Sequence, residues 1–178
     1  MTPQILQATR EMIAAHKLPT KGNLIEFGAY NVNGTQRVNF PEFSYVGVDI
    51  EEGACVDIVA DVTKLHDLTA TLETNGLPSW GKYDVVVCCE TLEHVPIFWE
   101  AMETIITMCK PHGYILLSFP TFGFPYHAFP IDCNRFTMDA VNAWGEYWSL
   151  NILEHREVKD IAGNPCLVVL MKKRHDVG

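Results

Sequence analysis

Short apolar runs rich in Val and Ile recur through the first two thirds of the chain. They cover residues 23–27, 44–49, 55–60, 83–89 and 113–119. Each run is too short for a helix and alternates little between apolar and polar residues, which is typical of strands covered on both faces. The pattern therefore predicts a parallel sheet at the centre of the fold.

Stretches with helical spacing precede, separate or follow these runs. Residues 3–17 carry apolar side chains at helical intervals, and residues 96–110 form one apolar stripe that starts beside Pro96. A further helix fits residues 137–146, with Thr137 as its N-cap. The alternation of strands and helices predicts a doubly wound α/β fold.

The last part of the chain shows a different pattern. Residues 147–156 and 165–172 are two extended runs joined by a turn at residues 160–165, which is typical of an antiparallel hairpin. We therefore predict a mostly parallel seven-stranded sheet with an antiparallel C-terminal hairpin strand and with helices on both faces.

Composition and charge restrict the classes of partner. A chain of 178 residues, 48% apolar and 20% charged, is typical of one globular domain. The formal charge is −9 and the thirteen Lys and Arg are dispersed, so we expect no large nucleic acid gripped by this chain alone. No run of 18 uncharged apolar residues suggests a membrane span, and the N-terminus does not resemble a secretory signal. Six irregularly spaced cysteines favour buried thiols in a reducing, cytoplasmic compartment.

Acidic residues stand at the predicted ends of three successive strands: Glu26, Asp49 and Asp61. Ligands of parallel sheets bind beyond these strand ends, and Gly28 lets a ligand approach the backbone closely. A carboxylate in the first turn favours an ammonium group over a pyrophosphate, whereas Asp49 suits a ribose diol and Asp61 an exocyclic amine. Local roles are the alternative: Asp61 could cap its own turn with Thr63, and the other two could be exposed rim charges.

Two further segments, YDVVVCCETLEHV (83–95) and KPHGYILLSFP (110–120), accompany these acids. In this order, the motifs resemble those of class I S-adenosylmethionine-dependent methyltransferases over about residues 22–120. The resemblance implies a Rossmann-like fold and S-adenosyl-L-methionine as the cofactor. One departure is that Tyr30 stands where the family commonly has a second glycine, which here comes at Gly34.

The resemblance implies cofactor-binding residues at the ends of the first four strands. Glu26 and Gly28 would hold the methionine amine. Asp49 would accept the ribose hydroxyls, and Asp61 the adenine amine. The remaining implied contacts lie beside these residues or at the end of the fourth strand: Tyr30, Asn31, Ile50, Val62 through its backbone N–H, and Glu90.

Methyl transfer to a hydroxyl or amine gains from a general base beside the methyl group. His94, in the segment after the fourth strand, is the first candidate because imidazole titrates near neutrality. Its alternative role is to cap the next helix or to order the cofactor loop.

A second candidate lies in residues 119–137, a long segment rich in aromatic residues that we expect to form an acceptor wall or lid. It offers His127, with Tyr126 as a further polar contact. Asp132 and Arg135 in the same segment are expected to pair locally.

We expect no metal site from the sequence, because there is no C-x-x-C and the histidines do not stand at ligand spacing. Cys88 and Cys89 are adjacent in a strand, so their side chains should point to opposite faces. No cysteine has a basic neighbour that would activate it as a nucleophile.

The predictions combine into one methyltransferase domain over residues 1–178. Its predicted parts are an N-terminal helix (1–20), a cofactor-binding core (22–120), an acceptor-side loop (121–137) and the hairpin (147–172). The predicted function is methyl transfer from S-adenosylmethionine to a small-molecule or sugar acceptor by in-line displacement. The alternatives are a non-catalytic cofactor-binding module or subunit of a larger assembly, and a nucleotide-dependent oxidoreductase. No membrane partner is expected, and an oligomer is possible.

Overall fold

The computed structural model describes residues 1–174 and consists of four helices packed on one sheet. The helices are α1 (Pro3–Ala15), α2 (Leu65–Thr74), α3 (Phe98–Met108) and α4 (Met138–Tyr147). The strands are β1 (Lys21–Phe27), β2 (Glu42–Asp49), β3 (Ile58–Val59), β4 (Tyr83–Cys89), β5 (Cys109–Pro120), β6 (Leu150–Lys159) and β7 (Pro165–Lys173). Two short 3-10 turns, η1 (Gln36–Asn39) and η2 (Leu92–His94), follow β1 and β4.

The seven strands form one mixed sheet in the order β3-β2-β1-β4-β5-β7-β6. Strands β1 to β5 pair in parallel, and β7 pairs antiparallel with both β5 and β6. Because β7 inserts between β5 and β6, it is the single reversed strand of this sheet. The predicted parallel sheet with an antiparallel C-terminal strand is confirmed, and the carboxyl ends of β1 to β5 meet at one edge.

Alternate residues of the central strands face two apolar layers. Leu24 of β1 packs in the layer that includes Ile5 and Met12 of α1, whereas Ile25 packs in the layer covered by α2, α3 and α4. Cys88 and Cys89 divide in the same way between the two layers, as predicted from their adjacency. The helices therefore cover both faces of the sheet.

An aromatic cluster joins the second layer to the long segment after β5. The ring of Phe136 lies 5.0 Å from that of Phe98, 5.1 Å from Phe119 and 4.9 Å from Trp144, in edge-to-face geometry. Such contacts stabilise beyond the area that they bury. The C-terminal end of the 121–137 segment is thereby anchored in the core.

Two predicted elements are shorter in the structure than the sequence pattern indicated. The run 55–60 forms strand only at Ile58–Val59, because the Asp57 side chain accepts a hydrogen bond from the Gly47 N–H at 2.7 Å. The helix predicted over 96–110 ends at Met108, since Cys109 already pairs with β4 as part of β5. In both places tertiary contacts replace the local pattern.

Helix α2 was not predicted. It buries Leu68 and Leu72, and with Leu65 these residues have helical spacing that could have indicated it. Thr137 does stand at the N-cap of α4, but its side chain makes no capping hydrogen bond.

The remaining observations concern cysteines and membranes. All six cysteines are free thiols, and four of them are buried. Among the described helices none has the length and apolar character needed to cross a membrane.

Candidate active site

The turn after β1 brings backbone N–H groups to the carboxyl edge of the sheet. Gly28 has φ +74°, and a Cβ atom at this position would lie 1.8 Å from Thr91 Oγ1. The N–H groups of Gly28 and Ala29 both donate to the Val48 carbonyl of β2, at 3.0 and 3.1 Å. Both the backbone conformation and the space therefore require glycine at this turn.

Glu26 lies one residue before the end of β1, in register with Gly47 of β2 and Val87 of β4. Its side chain is only 1% exposed, and its Oε2 accepts the Tyr45 hydroxyl at 2.6 Å. Burial raises the pKa of Glu26 to about 7, although the Tyr45 hydrogen bond and the charge of Arg37 lower it. The alternative of an exposed rim charge is therefore wrong for Glu26.

Asp49 and Asp61 stand at the ends of the next two strands and make local hydrogen bonds. Asp49 Oδ2 accepts the Tyr30 N–H at 2.9 Å, which links β2 to the turn after β1. Asp61 Oδ1 accepts both the backbone N–H and the hydroxyl of Thr63, at 2.9 and 2.8 Å. The capping role considered for Asp61 is thus present, and it uses one of the two carboxylate oxygens.

Four other predicted cofactor residues lie around these acids. The Tyr30 ring packs against Gly53, where an added Cβ would come within 2.4 Å of it. Asn31 Oδ1 accepts the Gly34 N–H at 2.9 Å and therefore holds the turn together. Ile50 is 66% exposed directly after Asp49, and Val62 is partly buried beside the core.

Glu90 directly follows β4 and has a positive φ of 52°. Its Oε1 accepts the Ser118 hydroxyl of β5 at 3.0 Å, and its N–H donates to the Ser118 carbonyl at 2.8 Å. Burial raises the pKa of the Glu90 carboxyl. The structure thus fixes this acid between the ends of β4 and β5.

Glu93 is the residue of this region that sequence reasoning missed. It is 0% exposed, and neither of its carboxylate oxygens has a hydrogen-bond partner among the described residues. Burial, together with the charge of Glu90, raises its pKa well above the ordinary value. A carboxylate directly before a histidine was the available signal, but burial could not be read from the pattern.

The two predicted catalytic histidines, far apart in sequence, lie together beside Glu93. Their ring centroids are 5.0 Å apart. His94 Nδ1 lies 2.5 Å from the Ile131 carbonyl, which can only accept, so Nδ1 carries a proton, and in the neutral imidazole Nε2 presents a lone pair. Burial and the neighbouring imidazole of His94 lower the pKa of His127.

The 121–137 segment is held over η2 by backbone and ionic contacts. The N–H groups of Cys133 and Asn134 donate to the Glu93 carbonyl, at 2.8 and 3.1 Å. Arg135 pairs with Asp132 through both terminal guanidinium nitrogens. Asp132 also accepts the backbone N–H of His127 at 2.7 Å. The expected local pairing of Asp132 with Arg135 is confirmed, and it positions His127.

A family model described as a methyltransferase domain matches residues 3–159 of this chain. The chain belongs to this methyltransferase family. The match runs from α1 to the end of β6, so it includes the strand-end acids and the residues around Glu93. Membership confirms the resemblance to class I methyltransferases that the motifs indicated.

Curated relatives resemble this methyltransferase domain over short segments. The ubiquinone biosynthesis O-methyltransferase of Vibrio campbellii is 38% identical over 56 residues, which are 32% of this chain and 24% of that protein. Its counterpart in Shewanella pealeana is 37% identical over 67 residues, 33% of this chain and 28% of that protein. The matched segments therefore span about a quarter of each relative's length.

Solved structures resemble this methyltransferase domain over nearly its whole length. One is the 1,6-didemethyltoxoflavin-N1-methyltransferase of Burkholderia thailandensis, solved with 1,6-didemethyltoxoflavin and S-adenosylhomocysteine. Its TM-score is 0.73 at 15% identity, covering 96% of this chain and 78% of that chain. Another is the N-methyltransferase NodS of Bradyrhizobium japonicum with S-adenosylhomocysteine, with TM-score 0.66, 12% identity and coverages of 97% and 88%. At these identities the similarity establishes the fold.

Proposed function

We propose that this protein transfers a methyl group from S-adenosylmethionine to a small-molecule or sugar acceptor. The acceptor's lone pair attacks the methyl carbon in line with the carbon–sulfur bond, and the electron pair of that bond returns to sulfur. The acceptor's proton passes to a base or to solvent water, and S-adenosylhomocysteine leaves. Because the sulfonium is already activated, the protein contributes mainly alignment and exclusion of water.

The observation that carries the proposal is the set of acids at or just beyond the ends of three adjacent parallel strands, at the edge where such sheets bind ligands. We assign Glu26 and the Gly28 turn to the methionine amine. Asp49 takes the ribose hydroxyls, and Asp61 takes the adenine amine with its second oxygen. The other assigned cofactor contacts are Tyr30, Asn31, Ile50, the Val62 N–H and Glu90.

Family membership supports this assignment, and so does the S-adenosylhomocysteine bound in both solved structures of the same fold. The exposed Ile50 side chain offers an apolar surface beside Asp49 that suits the face of an adenine ring. Asn31 contributes by holding the turn, since its side-chain Oδ1 already accepts the Gly34 N–H.

We assign His94 and His127 to the acceptor side. The Nε2 lone pair of His94 can take a proton or bind an electrophile, and His127 lies on the segment that covers this end of the sheet. Residues 121–137 form a short segment over this end of the sheet, which favours a small acceptor over a macromolecule. Free, largely buried thiols and the charge of −9 agree with a cytoplasmic protein that does not grip a large nucleic acid alone.

Calorimetric titration with S-adenosylhomocysteine tests the proposal most directly, followed by a screen of small hydroxyl and amine acceptors with labelled S-adenosylmethionine. We expect one saturable site and label transfer to at least one acceptor. Preference for a nicotinamide dinucleotide would contradict the cofactor assignment and favour the oxidoreductase alternative. Binding without turnover across the screen would favour the non-catalytic module.

Asp49→Ala should weaken S-adenosylhomocysteine binding by about 1–3 kcal/mol, or about 5- to 150-fold, because it removes an acceptor assigned to two ribose hydroxyls. Titration calorimetry measures the change. Glu52→Ala, which removes an exposed carboxylate three residues away, is the control and should bind normally. Equal affinity of Asp49→Ala and the native protein would show that the ribose assignment is wrong.

A further inference from the structure

Glu93, His94 and His127 bring three potential ligand atoms together at the acceptor end of the sheet. One carboxylate oxygen and one nitrogen from each imidazole all lie within 4.8 Å of one another. Glu93 and His94 belong to η2, whereas His127 comes from the segment after β5, so the fold assembles the set. We expected no metal site because we looked for ligand spacing along the chain. That spacing does not show that the three side chains come together in the fold.

The carboxylate of Glu93 faces lone pairs and lacks a hydrogen-bond donor. Its Oε1 lies 3.6 Å from His94 Nε2, and His94 has its ring proton on the opposite nitrogen, bound to the Ile131 carbonyl. With a neutral imidazole and an ionised carboxylate, two acceptors face each other, and neither oxygen of Glu93 has a hydrogen-bond partner among the described residues. Burying an ionised carboxylate in this way is costly unless a proton or a metal cation lies between the facing atoms.

The nearby arginine is committed elsewhere. Arg135 pairs with Asp132 through both terminal nitrogens and also donates to the Asn134 and Pro125 carbonyls. Its guanidinium therefore makes no hydrogen bond to Glu93, although its positive charge acts to lower the pKa of that carboxyl. The histidines, which present nitrogen lone pairs, are the neighbours left to share a cation with that carboxylate.

The distances and surroundings suit a metal ion. Two ligand atoms at about 2.1 Å from a tetrahedral ion are roughly 3.4 Å apart, close to the 3.6 Å between Glu93 and His94. Metal-binding histidines commonly donate their other ring N–H to a carbonyl or carboxylate. His94 does so to Ile131, whereas His127 Nδ1, 3.6 Å from Asp132 Oδ2, has no hydrogen-bond partner among the described residues.

We propose that Glu93, His94 and His127 bind one divalent transition-metal ion. Two imidazoles and one carboxylate favour Zn²⁺ and similar ions over Mg²⁺ or Ca²⁺, which prefer oxygen ligands. Three protein ligands leave a coordination position open. If the proposed function holds, that position takes the acceptor oxygen, and the ion acts as a Lewis acid that eases loss of the hydroxyl proton to solvent. The two histidines then act as ligands and not as the base.

Metal binding can be measured without cofactor or acceptor. The full-length protein, stripped with a chelator, is titrated with ZnCl₂ by calorimetry and with CoCl₂ by visible absorption, which reports coordination through the d–d bands. We expect one saturable Zn²⁺ site and a Co²⁺ spectrum with nitrogen ligands. Absence of saturable Zn²⁺ binding to the native protein would overturn the proposal.

Variants decide which residues bind the ion. Glu93→Gln, His94→Ala and His127→Ala should each weaken Zn²⁺ binding at least tenfold and reduce the Co²⁺ absorption. His155→Ala, which removes an exposed histidine on β6, is the matched control and should bind as the native protein does. Because His127 lies outside helices and strands, His127→Ala should still fold. It therefore keeps the test possible if Glu93→Gln does not fold. Unchanged binding in His127→Ala and the other folded variants would overturn the site.

The test of the metal site can be separated from the test of the proposed function. S-adenosylhomocysteine titration of the stripped protein reports the cofactor site alone, since Glu26, Asp49 and Asp61 are not among the proposed ligands. Absence of Zn²⁺ binding to the native protein, together with normal cofactor binding, would overturn only the metal site.

Discussion

Glu26→Gln is expected to stabilise the free protein above pH 7 while it weakens cofactor binding. The pKa of Glu26 is raised by burial from 4.5 to about 7, so the folded state binds this proton more tightly than the unfolded state. The native protein therefore loses stability as the pH rises from about 4.5 through 7. At about 1.4 kcal/mol for each pKa unit, the loss amounts to about 3 kcal/mol at pH 8.

A neutral Gln avoids this loss and can still accept the Tyr45 hydroxyl. The variant should match the native protein near pH 4.5 and exceed it by about 1–3 kcal/mol at pH 8, as measured by urea unfolding at both pH values. Glu42→Gln, at the exposed start of β2, is the control and should show no such pH-dependent gain. A variant less stable than the native protein at pH 8 would mean that the charge of Glu26 stabilises the free fold.

Cofactor affinity should change in the opposite direction. The ammonium of S-adenosylhomocysteine requires the ionised carboxylate, so affinity of the native protein should rise up to tenfold per pH unit below 7 and level off above about 8. At pH 8, Glu26→Gln should cost about 2–5 kcal/mol, roughly 30- to 5,000-fold in Kd, and remove this pH dependence. Calorimetric titrations across pH 6–8.5 measure both effects. If the variant bound S-adenosylhomocysteine as tightly as the native protein, the assignment of the amine to Glu26 would be wrong.

Phe136→Ala should lower the free energy of unfolding by about 3–5 kcal/mol, because it leaves a cavity between three aromatic rings. The side chain is 5% exposed, and its backbone carbonyl accepts the Thr121 hydroxyl at 2.8 Å. The same change should loosen the 121–137 segment, because Phe136 anchors its end. Urea unfolding measures the stability, and hydrogen exchange of that segment measures the loosening.

Phe122→Ala is the matched control, since it removes the same side chain from the same segment at a position that is 85% exposed. It should change stability by less than about 0.5 kcal/mol. Phe136→Leu, which refills much of the space, should recover part of the loss. Equal effects of Phe136→Ala and Phe122→Ala would show that the segment is not anchored through the aromatic cluster.

Much of the sheet could be predicted because its strands are covered on both faces. Apolar runs at β1, β2, β4 and β5 follow directly from that burial, and the final hairpin follows from its turn residues. The strand-end acids could be found in the same way, because parallel strands bring successive carboxyl ends to one edge. Elements that depend on contacts between distant residues, such as the short β3 and the end of α3 at Met108, were predicted less well.

The family, most of the strands and helices in their order, and the acids at the ends of the first three strands could be obtained from the sequence alone. Those features depend on local patterns of polarity and on motif order, which a chain carries without folding. The burial of Glu26 is a result of folding. So is the approach of Glu93 and His94 to His127, which lies 33 positions after His94 in the chain. The desolvation of a carboxylate and the convergence of lone pairs arise from packing between β4, β5 and the segment after them, so no local pattern could report them.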